Sequence, residues 1–191
     1  MFNRIIVLSG PISSGKSTLA KGLAERYGMH IFKTSEILKR QVGSNLQQDR
    51  KVLQAQGERL DKKTNGQWVL HALREWSNQF NLISDVVIDS VRIAEQIQAL
   101  REAYGPIVIH VHLTAPMGEL EPRFNKRREQ GRELDFKYAE VRENPTEKRV
   151  EDLEKTKWRG NGIIKDFKSK YGLLNNVKWS ANYFCSNTSS K

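Results

Sequence analysis

At 191 residues the chain has room for one domain with a sizeable core, and its 32 Lys and Arg outnumber 22 Asp and Glu for a net charge of +10. A single cysteine, Cys185, excludes an internal disulfide framework and any multi-cysteine metal site, and no apolar run approaches the length of a membrane span. The positive balance fits a nucleic-acid partner or a site for several phosphates; RNA-binding aromatic signatures and zinc-finger spacings are missing, so nucleic acid is admitted but not favoured.

The start, Met1-Phe2-Asn3-Arg4, carries no secretory signal, and the cytoplasm is the expected compartment. An apolar run, Ile5-Ile6-Val7-Leu8, then reads as a buried strand. It feeds Gly10-Pro11-Ile12-Ser13-Ser14-Gly15-Lys16-Ser17-Thr18, which satisfies the phosphate-loop (Walker A) pattern of a Gly, four residues, then Gly-Lys-Ser/Thr. Leu19, Leu23 and Tyr27 recur at i, i+4 and i+8, so a helix leaves the loop. Gly10 and Gly15 permit backbone angles and approaches that a Cβ would obstruct. The N–H groups of Ser13, Ser14, Gly15 and the helix start through Thr18 can then face an anion. Lys16 can reach the β- and γ-phosphates, and the Ser17 hydroxyl can ligate Mg²⁺. A plain Gly/Ser turn would not need this strand–loop–helix setting.

Beyond Gly28, a helix stop, residues 30–33 form a short strand candidate. Ser35 can cap the next helix, which carries Ile37, Leu38 and Arg40. Thr34 and Ser35 with Arg40 one turn on could hold a phosphate-bearing acceptor, or form a cap beside a solvated arginine. Residues 49–60 read as a polar helix and 61–66 as a loop. From 67 to 80 a stripe of Val69, Leu73, Trp76 and Phe80 reads as core rather than as a base-stacking platform. Gln54, Gln56 and Arg59 could face a substrate or water.

Val86-Val87-Ile88 is a second buried strand and ends at Asp89, where ligands bind in open α/β sheets. Asp89 is therefore a candidate acid, acting on Mg²⁺ through water or on an acceptor hydroxyl. Arg92 suits bidentate phosphate recognition, the plainer alternative for the pair being a helix cap with a local ion pair. An amphipathic helix through Ile97, Leu100 and Tyr104 stops at Gly105-Pro106. The segment 107–113 is a further central strand whose His110 and His112 share a face, and these read as structural. Between 121 and 151, Arg123, Lys126, Arg127, Arg128, Arg132, Arg142, Lys148 and Arg149 interleave with acids. This is a solvated helical hairpin or, beside a phosphate loop, a lid over about 117–150 that closes on donor phosphates. Arg123 and Arg127 share one helical face and lead that set. Ile164, Phe167 and Tyr171 suggest a short helix. One phosphate-loop domain is expected over 1–180, with 181–191 a polar, disordered tail.

Assembled, these residues resemble the small phosphate-loop nucleoside monophosphate kinases related to adenylate and cytidylate kinases. The resemblance lies in Leu8 to Ala20, in Phe32-Lys33-Thr34-Ser35-Glu36-Ile37-Leu38-Lys39-Arg40, in Asp89-Ser90-Val91-Arg92, in Gln96 and in the arginines at 123 and 127. It implies a three-layer α/β/α fold with a mostly parallel sheet of about five strands, all five parallel in the family pattern, and a basic helical lid. It implies ATP and Mg²⁺ as cofactors and small-molecule nucleotide substrates. Thr34, Ser35, Arg40, Arg92 and Gln96 would bind the acceptor, Ser17 and Asp89 the metal, and Lys16, Asp89, Arg92, Arg123 and Arg127 would carry catalysis. Three features depart from the family: Asp89 to Arg92 is one residue shorter than in adenylate kinase, Ser35 replaces a glycine, and no final strand is readable after Lys155 unless it lies in 162–177. The expected activity is γ-phosphoryl transfer to a small phosphorylated acceptor, foremost a nucleoside or deoxynucleoside monophosphate. Its rivals are a kinase for dephospho-coenzyme A or a nucleic-acid end, and an ATP-binding regulatory or nucleic-acid-associated module. No oligomeric state follows from the sequence.

Overall fold

Val, Ile and Leu in unbroken runs suit strands buried on both faces, and three such runs form the centre of the sheet. The computed structural model describes residues 2–43, 45, 50–80, 84–131, 137–153 and 178–182. Its strands are β1 (Phe2–Ser9), β2 (His30–Lys33), β3 (Ser84–Asp89), β4 (Val108–Thr114) and β5 (Lys178–Asn182), in the order β2-β3-β1-β4-β5. The first four are mutually parallel, while β5 runs antiparallel to β4. The sheet is thus mostly parallel, as expected. Its last strand departs from the all-parallel family pattern and lies beyond 162–177, across the boundary drawn at 180.

Helices cover both faces. Helix α1 (Lys16–Tyr27) lays Leu19, Ala20 and Leu23 on Ile6, Leu8, Val87 and Val111. On the other face, α4 (Trp68–Phe80) and α5 (Ala94–Tyr104) bring Val69, Leu73, Ile97 and Leu100 onto Ile5, Val7, Val86 and Ile88. Each such fully buried aliphatic side chain contributes roughly 2 kcal/mol. Helices α2 (Thr34–Gln41) and α3 (Arg50–Thr64) lie between β2 and α4 in the chain, with Leu38 buried in that same core and Leu53 packed against it. After β4 come α6 (Met117–Glu129), α7 (Tyr138–Arg142) and α8 (Pro145–Asp152). Helices α6 and α7 gather Leu120, Phe124, Tyr138 and Val141 around Ile12 of the phosphate loop, a third small core. The basic segment is therefore helical and rooted on the loop.

The segment 61–66 is not a loop: α3 continues to Thr64, and only Asn65, Gly66 and Gln67 turn. Thr64 Oγ1 donates to the Leu60 carbonyl at 2.8 Å and accepts from Trp68 N–H at 3.1 Å, so one hydroxyl closes α3 and opens α4. Asn65 and Gly66 take positive φ of 49° and 76° to reverse the chain. The expected helix at 164–171, the start of the helix at Asp49 and the tail beyond 182 lie outside the described residues. Among the described residues no helix is long and apolar enough to cross a membrane.

Candidate active site

Parallel pairing sets the site. Leu8 stands opposite Asp89 and Ser9 opposite His112, so β1, β3 and β4 all end at one edge. There Gly10 turns with φ 137°, and a Cβ on it would run into the Leu113 carbonyl oxygen. Gly15, at φ 97°, aims the chain into α1, whose first hydrogen bond, Leu19 N–H to the Gly15 carbonyl, is 2.9 Å. Beneath the loop, Ser9 Oγ bridges His110 Nε2 and His112 Nδ1, each at 2.7 Å, with all three residues buried. Burial, then the neighbouring His112 and Arg101 charges, pushes His110 down to about 3, so it stays neutral. The two histidines brace the loop, and among the described residues no His, Cys, Asp or Glu cluster could hold a metal ion through three such ligands.

The loop's own side chains are preset. Lys16 Nζ donates to the Gly10 and Pro11 carbonyls at 2.8 Å each. Burial lowers its pKa to about 8, while the Glu147 and Asp89 carboxylates oppose the shift. Ser17 Oγ donates to Asp89 Oδ2 at 2.8 Å. A hydroxyl and a carboxylate oxygen at that separation are hard donors suited to Mg²⁺. From α6, Arg127 Nη2 donates to Ser13 Oγ at 2.7 Å. Arg123 also faces the cavity and is paired with Glu119 one turn earlier.

Across from the loop, Thr34 Oγ1 donates to the Ser90 carbonyl at 2.8 Å and accepts from Ser90 N–H at 3.3 Å, which fixes the exit of β3. Arg92 N–H donates to Gln96 Oε1 at 2.8 Å. Gln96 Nε2 in turn donates to Asp61 Oδ1 at 2.8 Å, which also accepts from Trp68 Nε1 at 2.6 Å. Desolvation raises the Asp61 pKa, and these two hydrogen bonds oppose it. Glu147, reaching in from α8, joins the two walls. Its Oε2 accepts from Ile12 N–H at 3.2 Å, and its Oε1 lies 3.5 Å from Arg50 Nη2 and 3.7 Å from Arg92 Nη1. Thr146 donates to Glu58 at 2.6 Å and Asn144 to Gln54 at 3.2 Å, tying α8 to α3.

All of this surrounds one cavity of about 880 Å³, within the range of small-molecule sites. Gly10, Ser13, Ser14, Gly15, Lys16, Ser17, Thr18, Thr34, Ser35, Asp89, Arg92, Gln96, Arg123 and Arg127 line it together. Arg40 does not: it is exposed on α2, whose cavity side is formed by Thr34, Ser35, Leu38 and Lys39. At 100° per residue, Arg40 falls past that face, and Lys39 and Arg50 supply the positive charge there. Arg132 lies outside the described residues. Arg50, Glu58, Asp61 and Glu147 are cavity residues with no motif of their own: Asp61 has loop composition around it, and polar residues on a helix read as solvated. The one available signal was the i, i+4, i+7 spacing of Gln54, Glu58 and Asp61.

A phosphate loop at the carboxyl edge of a parallel sheet, facing an acid at the end of the adjacent strand, defines a P-loop protein of the nucleotide kinase-like class. Residues 6–155 match the AAA_18 family, described as an AAA domain, and the chain belongs to that family. It is 33% identical over 98 residues to an adenylate kinase of Thermococcus onnurineus, a match that spans 50% of this chain and 41% of that enzyme. Among solved structures, it is similar to a candidate kinase from Chloroflexus aurantiacus at a TM-score of 0.48 and 15% identity, covering 80% of this chain and 94% of the other. A sugar kinase from Janibacter sp. HTCC2649 aligns at a TM-score of 0.40 and 19% identity, covering 80% and 92%.

Proposed function

We propose that the protein is a cytoplasmic, ATP- and Mg²⁺-dependent phosphotransferase that moves the γ-phosphoryl group onto a nucleoside or deoxynucleoside monophosphate. The observation that carries this reading is the single cavity joining the phosphate loop to an acceptor wall with Thr34, Arg50 and Arg92. A protein that only held a nucleotide would have no use for that second set of cations.

In this reading the loop amides and Lys16 hold the β- and γ-phosphates, and Lys16 releases the Gly10 and Pro11 carbonyls to do so. Ser17 and Asp89 would hold Mg²⁺, which when bound neutralises charge between the β- and γ-phosphates. Arg50 and Arg92 grip the acceptor phosphate and aim one of its oxygens at the γ-phosphorus. A new P–O bond forms there as the bond to the β-phosphate oxygen breaks, leaving ADP. Arg123 and Arg127 would approach from the lid and exclude water. These are positioning and electrostatic tasks, so no covalent intermediate is needed.

The test is a panel of nucleoside and deoxynucleoside monophosphates incubated with ATP and Mg²⁺, with ADP release followed and Lys16→Ala as control. ADP release that depends on one or more acceptors supports the reading. Release indifferent to every acceptor overturns it.

A further inference from the structure

The acceptor wall carries polar groups that phosphoryl transfer does not use. Gln54, Glu58 and Asp61 follow one another at i, i+4 and i+7 on α3, so they share one face of the helix, and all three line the cavity. Asp61 is 7% exposed; Trp68 and Gln96 both bond to its Oδ1, and among the described residues nothing bonds to Oδ2. Glu58 commits Oε1 to the Thr146 hydroxyl, and no described group claims its Oε2. Gln54, 8% exposed, accepts from Asn144 through Oε1, while its Nε2 is buried with no hydrogen-bond partner among the described residues. A buried donor left unpaired in a native site points to a ligand that supplies its acceptor. Leu53, Trp68 and Val150 give apolar lining to the same region.

We infer that this face reads the base of the acceptor and selects bases with an exocyclic amino group (cytosine, adenine or guanine) over uracil and thymine. The inference rests on the monophosphate reading above and deepens it. An amino group offers two N–H donors on one nitrogen, and two unclaimed carboxylate oxygens stand one turn apart on α3 to accept them. The ring nitrogen or carbonyl beside the amino group can accept from Gln54 Nε2, or from the second N–H of Gln96. A uracil or thymine edge offers one N–H between two carbonyl oxygens, and those oxygens would face carboxylates. A site built to pair with a donor rejects an analogue lacking it, because its buried groups stay unpaired.

Two matched pairs exchange the amino group for an oxygen and the ring nitrogen beside it from acceptor to N–H donor: CMP against UMP, and AMP against IMP. Calorimetric binding and ADP release with ATP and Mg²⁺ should both favour the amino-bearing member of a pair by at least about tenfold. Asp61→Asn is the sharper variant. Its amide oxygen can still accept from Trp68 and Gln96, while its nitrogen puts a donor where Oδ2 stood. The preference should shrink or reverse, with at least one monophosphate still bound. A purely structural role for Asp61 would lower both members equally. Should Asp61→Asn fail to fold, the wild-type ratios alone decide. UMP and IMP matching or exceeding CMP and AMP overturns this inference and leaves the phosphotransfer reading standing. Failure of every monophosphate to bind or to stimulate ADP release overturns both.

Discussion

The phosphate loop draws its groups from one contiguous stretch, residues 10–18, whereas the opposite wall of the cavity collects Thr34 from α2, Arg50 and Asp61 from α3, Arg92 from beyond β3 and Glu147 from α8. The loop works mainly through backbone: positive-φ turns at Gly10, Ser13 and Gly15 present amides, and a buried Ser9–His110–His112 bridge supports them from below. The wall works through side chains, and its buried charges are balanced within the protein. Glu147 does this, lying between Arg50, Arg92 and the Ile12 amide. The difference teaches that the phosphate loop is a local property of the chain, whereas the opposite wall of the cavity exists only after α3, α8 and the end of β3 have packed.

Breaking the loop should have the largest effect. Lys16→Ala removes the charge aimed at the transferring phosphoryl group and should lower kcat by about 10³-fold with the fold unchanged, by steady-state kinetics and circular dichroism. Breaking the wall comes next. Arg92→Ala should reduce kcat/KM for the acceptor by about 10²-fold, while the exposed Arg40→Ala stays within about threefold. Equal losses at the two arginines would contradict the assignment of Arg40 to the surface.

Removing the acid that joins the two regions should produce opposite signs. Glu147→Gln should tighten binding of inorganic pyrophosphate several-fold by calorimetry, since a competing carboxylate is gone. It should also lower unfolding free energy by about 1–3 kcal/mol, because Arg50 and Arg92 lose their counter-charge in a partly solvated setting. Weaker pyrophosphate binding in this variant would show that Glu147 supports the anion site instead of filling it.

Two titrations act gradually, unit by unit of pH. Lys16, at about 8 with its side chain turned onto the loop carbonyls, is partly neutral above that pH, and a bound phosphate chain restores its proton. Pyrophosphate binding should therefore weaken as pH rises from about 8 toward 10, with net proton uptake seen in buffers of different ionisation enthalpy. His110 has a folded pKa of about 3 against an ordinary 6.5, so between those values the unfolded chain binds a proton that the folded one does not. Stability should fall as pH drops from about 6.5, by up to about 1.4 kcal/mol per pH unit from this residue, and His110→Gln should flatten that slope.

What could be read from residue order follows the same division. The loop, the acid ending β3 and the arginine after it carry fixed spacing, and the apolar runs of β1, β3 and β4 are long enough to read as buried strands. On α3, Gln54 reads as a residue that could face a substrate, and it lines the cavity; Asp61 does not read so, because Asp61-Lys62-Lys63-Thr64 has loop composition, and only burial beside Trp68 makes it an inward-facing group. Glu147 escaped because an acid among lid arginines looks like surface charge until α8 is seated on α3. Arg40 does not reach the cavity that its spacing from Thr34 suggests, since a one-residue offset on a helix turns a side chain by 100° and gives the cavity to Lys39. The last strand, Lys178–Asn182, is short and mixed in composition, and antiparallel edge pairing does not demand an apolar run.

The most direct measurement of phosphoryl transfer between the two regions is ³¹P NMR of ATP, Mg²⁺ and CMP or AMP turned over by the protein. The account predicts two diphosphates for each ATP consumed, ADP and CDP from CMP or two ADP from AMP, while the monophosphate resonance falls in step. ADP accompanied only by inorganic phosphate, with the monophosphate resonance undiminished, would show that the cavity sends the phosphoryl group to water and would contradict it.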